Sequence, residues 1–250
     1  MILDCAVMPE VFRHDSSEEK LWAKYSDILL AKSLGFLGLE SEVIRVRGNS
    51  ADVRAVSPNY KIVGDAKTFR LSRTAKNQKD FKVESLDSWR RSSDYAILVG
   101  PLCQFPTTSS AIYRQAIARN VTLLSYAHLY FMLKYFSSKI NIESLWNAGK
   151  TMQKQGTSGD LKSARYYWEW MNSTLLDCFG KTDKDFDAIR QLDIETTRRL
   201  GNEGIQYWEK KIDEYRLLSK EEAIRRLIKA EKIEAKIEQI KKAIAWEAVQ

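Results

Sequence analysis

KIVGDAKTFRLSRTAKNQKDFK, residues 61–82, decides the reading of this chain. Its first residues alternate as a strand does, so Asp65 and Lys67 point to one face and Ala66 to the other. From Lys67 a basic residue recurs at every third position: Lys67, Arg70, Arg73, Lys76, Lys79 and Lys82. A helix is expected over 75–86. Steps of three rotate a helical side chain by about 300°, so Lys76, Lys79 and Lys82 share one face. Asn77, Gln78 and Asp80 interleave with them.

The flanking sequence supplies the rest of a sheet. Ser16 and Glu19 have capping-box spacing and open a helix. Leu21, Trp22, Tyr25, Ile28 and Leu29 form its apolar stripe, and Gly35 and Gly38 mark its end. Short strands are predicted over 42–46, 52–56 and 60–66, with turns at 47–49 and 57–59. DYAILVG at 94–100 is a continuous apolar run of the buried-strand type. A helix over 109–119 and a strand over 121–125 follow. The order α, β, β, β, α, β, α, β predicts an α/β fold, a mixed sheet with helices on its faces. Beyond residue 127 the chain reads as largely α-helical, with QKQGTSGD at 153–160 as a linker. Two regions are expected: a catalytic core over 1–126, and a helical region over 127–250 that packs on it. Ile224, Leu227, Ile228, Ile233, Ile237, Ile240 and Ile244 form an apolar stripe suited to that core or to a partner protomer.

The formal net charge is +7, and its placement says more than its size. Residues 43–92 hold 12 Lys/Arg against 5 Asp/Glu, so the whole excess sits in this one segment. That favours a local surface for a polyanion. In the last 50 residues 11 basic and 10 acidic side chains are interspersed, which excludes a basic arm there. No apolar run reaches the roughly 20 residues that span a bilayer, and the N-terminal stretch lacks the features of a signal peptide. A soluble, cytoplasmic protein is expected. Cys5, Cys103 and Cys178 are far apart, and with His14 and His128 they make a poor zinc set. They read as reduced, small apolar residues.

The chemistry follows from the strand end. Asp52 lies on the strand before Asp65, with 12 residues between them, and a hairpin of that length brings the two together. Two carboxylates there suit Mg²⁺, a hard cation that keeps most of its waters. Beside them Lys67 would orient or polarise a water and stabilise charge on a phosphoryl group. Arg70, Arg73, Lys76, Lys79 and Lys82 would hold phosphates, while Asn77 and Asp80 are of the kind that reads base edges. A lone Asp-x-Lys is a weak signal, usually a surface pair. The second acid, the β-β-β-α-β order and the confined charge together describe the PD-(D/E)xK nuclease core. Ser50-Ala51-Asp52 stands where that motif has its proline.

DAKTFRLSRTAKNQKDFKV at 65–83 resembles the active-site segment of the HindIII-type restriction endonuclease family. The resemblance extends through SSEEKLW at 16–22, DILLAKSL at 27–34, RGNSADV at 47–53, QFPTTSSAIYRQA at 104–116, SLWN at 144–147 and SKEEAIRRLIK at 219–229. It implies a homodimeric, Mg²⁺-dependent type II enzyme that cuts duplex DNA at a palindrome. The family's site is AAGCTT, cut between the adenines to leave 5′ overhangs. By position, Asp52 and Asp65 would ligate the metal and Lys67 would be the catalytic lysine. Asn77, Lys79 and Asp80 fall in the segment presented to DNA. A cognate DNA methyltransferase goes with such an enzyme. Two other readings stand beside this one: a repair or structure-selective nuclease of the same superfamily, and a DNA-binding relative without activity. Glu18 and Glu19 read as cap and dipole acids, or as a first-helix metal ligand. Phe105, Pro106, Thr107 and Thr108 read as a DNA-facing loop, or as a hydrophobic staple before a helix.

Overall fold

The computed structural model describes residues 1–44, 50–73 and 81–244. Helix α1, Ser17–Phe36, begins as its sequence predicts, with Ser16 Oγ accepting the Glu19 N–H at 3.2 Å. The reciprocal bond reaches one residue further back, to the Asp15 N–H. At the other end Gly38 adopts φ +88°, a left-handed conformation that costs glycine little. The buried face is rotated from the expected stripe. It comprises Ser26, Leu29, Leu30, Ala31, Ser33 and Leu34, while Leu21 and Ile28 are exposed. Two serines sit in this face because each satisfies its hydroxyl locally, Ser26 on Ala23 O and Ser33 on Leu29 O.

Five strands form one sheet in the order β1-β2-β3-β4-β5. They are Glu40–Val43, Val53–Val56, Lys61–Ala66, Tyr95–Gly100 and Val121–Ser125. The first three pair antiparallel, and β3, β4 and β5 pair parallel. Parallel neighbours need crossovers. These are α2, Val83–Arg90, and α3, Ala111–Arg119. Both β4 and β5 are buried along their whole length, as the unbroken apolar run of β4 predicts. The expected turn at 47–49 and the first half of the expected helix over 75–86 lie outside the described residues.

Ser125 ends β5 and also caps α4, Tyr126–Tyr135, in a capping box with His128. Helices α5 (Glu143–Trp146), α6 (Ala148–Gln155), α7 (Ala164–Phe179), α8 (Asp183–Arg216), α9 (Lys220–Ala230) and α10 (Ile233–Ile244) follow. The expected linker at 153–160 is instead the end of α6 and a fixed turn. Asp160 Oδ2 accepts from both the N–H and the hydroxyl of Thr157. The chain divides into two compact units, Met1–Gly204 and Ile205–Gln250. The expected boundary at 126/127 falls inside the first, where β5 passes directly into α4. Every buried apolar side chain among the described residues belongs to the first unit. In the second, Ile224, Leu227, Ile237 and Ile240 are exposed. The three cysteines are free. No helix among the described residues is long and apolar enough to cross a membrane.

Candidate active site

Three sequence-predicted residues converge at the C-terminal end of the central strand. Asp65 lies in β3 between an antiparallel and a parallel neighbour, with a side chain 1% exposed. Lys67 continues the ladder past the strand end, its N–H donating to Val99 O at 2.7 Å. The pleat therefore keeps Asp65 and Lys67 on one face, and Lys67 Nζ pairs with Asp65 Oδ2. Asp65 Oδ1 accepts no hydrogen bond. The register Val53↔Gly64 puts Asp52, one residue beyond Val53, beside Asp65.

A third carboxylate joins them from the helix. Oxygens of Asp27, Asp52 and Asp65 all lie within 4.8 Å of one another. The expected stripe through Ile28 and Leu29 misplaces the helix's inner face and so gives no sign of Asp27. With Leu30 and Leu34 inward, Asp27, one turn before Leu30, flanks that face. Burial, together with the charges of Asp52 and Asp65, pushes Asp27 up to about 8. Burial also raises Asp65, against the opposing pull of Lys67. Asp27 Oδ1, like Asp65 Oδ1, is buried without a hydrogen-bond partner. Crowded, partnerless carboxylate oxygens beside one lysine are costly by themselves. They fit a divalent cation that takes oxygen ligands.

The cation ladder divides. Arg70 is turned inward, with its guanidinium 2.7 Å from Glu19 Oε1 and 2.7 Å from Phe12 O. The Arg73 guanidinium lies 4.6 Å from the centroid of the Phe69 ring and is exposed. Lys82 is exposed and takes φ +48° where α2 begins. Lys76, Asn77, Lys79 and Asp80 lie outside the described residues. Glu18 is exposed, whereas Glu19 serves Arg70 and the Asp15 N–H. His14, Asp15 and Glu19 also cluster, but two of them are exposed and the third is already paired with Arg70. Phe105 is core, stacked on Phe81 at 4.6 Å between ring centroids. The cap of α3 is Ser110.

Two comparisons bear on this site. Residues 2–244 match the family described as HindIII restriction endonuclease. The chain is also 39% identical over 246 residues to the type II restriction enzyme HindIII of Haemophilus influenzae, covering 96% of this chain and 81% of that protein.

Proposed function

The chain belongs to the HindIII restriction endonuclease family, and from that premise we propose that it hydrolyses duplex DNA at the palindrome AAGCTT, between the adenines, with Mg²⁺. Its class is type II site-specific deoxyribonuclease. The observation that carries the mechanism is the meeting of Asp27, Asp52 and Asp65 with Lys67 at the end of β3.

In this reading the three carboxylates would hold the cation, which when bound would supply charge neutralisation at the phosphoryl oxygens and a more acidic water. Asp65, in the central strand, fixes the site to the rigid part of the fold. The Lys67 ammonium, held at Asp65, donates to the attacking water or to a phosphoryl oxygen as negative charge grows there. A water loses a proton to the solvent as its oxygen bonds to phosphorus, the bridging P–O bond on the other side breaks, and the departing oxygen takes up a proton from the solvent. Arg73, Lys76, Lys79 and Lys82 hold phosphates, while Asn77 and Asp80 face base edges.

A palindrome calls for a two-fold symmetric reader, so the working form is a homodimer. The roles divide as nuclease core over 1–126 and helical region over 127–250, the latter supplying the interface. The exposed isoleucines and leucines of α9 and α10 support that assignment. A cytoplasmic location and a cognate DNA methyltransferase belong to the same reading.

The test is a digest of a fully sequenced plasmid with Mg²⁺, followed by run-off sequencing of the ends. Discrete fragments with 5′-AGCT overhangs are expected. Discrete fragments with other ends would retain the class and discard AAGCTT. Cutting without fixed positions would favour a repair or structure-selective nuclease. Binding without cutting would leave only a DNA-binding relative.

A further inference from the structure

Arg70 belongs by sequence to the cation ladder, yet its surroundings are those of a structural clamp. Both members of the Arg70–Glu19 pair are largely covered, 17% and 18% exposed. One guanidinium nitrogen meets Glu19, the other donates to Phe12 O, so the fork has one orientation. Glu19 is itself fixed in the first turn of α1 by the Asp15 N–H.

The neighbouring residues are held from the same direction. Thr68 Oγ1 donates to Ala6 O at 3.3 Å and accepts from Trp22 Nε1 at 3.2 Å. The Met8 N–H donates to Phe69 O at 3.1 Å. Ser72 donates its N–H and its hydroxyl to the two oxygens of Glu10, at 2.9 and 2.7 Å. Leu71 rests on α8, where a Cβ on Gly201 would lie 3.3 Å from its Cδ1. One turn further along, a Cβ on Gly204 would lie 2.8 Å from Glu10 Cγ. The N-terminal stretch and the start of α1 thus hold Thr68, Phe69, Arg70 and Ser72, and α8 meets Leu71. On the far side of 74–80, Phe81 is buried between Phe69 and Phe105.

We propose that Arg70 and Glu19 are positioning residues: their ion pair sets where the DNA-reading segment leaves the catalytic strand, and Arg70 neutralises no phosphate. The inference rests on the site-specific nuclease reading. A guanidinium already matched by a carboxylate presents no net charge to DNA. The segment that follows must meet base edges in a fixed relation to Lys67 and the carboxylates. A small displacement of such a segment costs far more in rate and selectivity than in stability.

The experiment compares full-length Arg70→Ala, Glu19→Gln, their double variant and the milder Arg70→Lys with the parent chain. Three quantities are read: cleavage of the cognate site against single-mismatch sites, the salt dependence of binding in Ca²⁺, and Tm. Discrimination is expected to fall by about tenfold or more in Arg70→Ala and Glu19→Gln alike. The double variant should be no worse than either single. Arg70→Lys, which keeps the charge and loses the fork, should resemble Arg70→Ala. The slope of log K against log salt should remain that of the parent. A slope shallower by about one in Arg70→Ala, with Glu19→Gln unchanged, would make Arg70 a phosphate contact and overturn the proposal. A lowered Tm with discrimination intact would overturn it too, leaving only a fold-stabilising pair. A parent chain with no site preference would remove the nuclease reading beneath it, and the parent digest shows that before any variant is compared.

Discussion

Leu30 of α1 lies directly on Gly64 of β3: a Cβ on Gly64 would sit 3.1 Å from Leu30 Cδ2. The same Cβ would be 3.2 Å from Ile97 Cγ1 on β4. This close approach of helix and strand carries Asp27, one turn before Leu30, to Asp65, the residue after Gly64. Leu30 and Ile97 are both fully buried and have little room to retreat. Gly64→Ala is therefore expected to cost about 1–3 kcal/mol of stability. It should also reduce the rise in Tm on adding Mg²⁺, because the helix carries Asp27, one of the three carboxylates proposed to hold the cation. Urea unfolding and thermal melts with and without the cation measure both effects. A variant matching the parent in both would show that the close contact is not needed.

Asp27→Asn should separate metal binding from folding. The Asp27 carboxyl is raised from 3.8 to about 8, so it favours the folded chain when protonated. In EDTA that contribution is complete below about pH 4 and is lost as pH rises towards 8. The amide cannot ionise. The variant should thus have the higher Tm in EDTA at pH 8, a smaller loss between pH 5 and 8, and little response to Mg²⁺. A parent-like Mg²⁺ response would take Asp27 out of the ligand set.

Asp65→Asn and Lys67→Ala test the chemistry. Each should lower cleavage by about 10²–10³-fold or more. Binding of duplex DNA in Ca²⁺ should survive in Lys67→Ala, since the carboxylates remain. Single-turnover rates and gel shifts on one duplex report both. Turnover near the parent level in either variant would move the active site elsewhere.

His128 predicts an acid limit to stability. Its Nδ1 lies 2.6 Å from Ser125 Oγ and its Nε2 lies 2.9 Å from Asn172 Oδ1. Burial holds it at about 4, below the ordinary 6.5. The unfolded chain therefore takes up the proton first, and stability falls as pH drops from about 6.5 towards 4. Between pH 7 and 5 the loss should be about 2 kcal/mol. His128→Gln can retain the capping box and cannot titrate, so its urea midpoint should vary less over that range. Equal pH dependence in the two proteins would assign the acid limit to other groups.

The exposed apolar face of α9 and α10 predicts the assembly. Leu227 is 61% exposed and Ile237 46% exposed in the single chain. On the homodimer proposal, Leu227→Glu with Ile237→Glu should leave the Tm of the first unit unchanged and shift sedimentation from dimer towards monomer. Cleavage of the palindrome should fall with it. A variant that stays dimeric would put the interface elsewhere.

The order of elements, the mixed sheet and the meeting of Asp52, Asp65 and Lys67 were legible in the sequence. Alternation fixes which strand residues share a face, and the continuous run of β4 declares a strand covered on both sides. Such signals are local, and local periodicity survives in any correct fold. Asp27 was not legible. Ser26 and Ser33 are polar by type yet belong to the inner face of α1, so the apolar count pointed to the wrong side. Packing on the sheet, where Leu30 meets Gly64, sets that helix's rotation. Nor could the spacing of cations reveal that Arg70 would be turned to Glu19, 51 residues earlier. A sequence states which charges exist and at what interval. Which of them face a ligand and which cancel inside the molecule depends on partners that only the folded chain brings within a few ångströms.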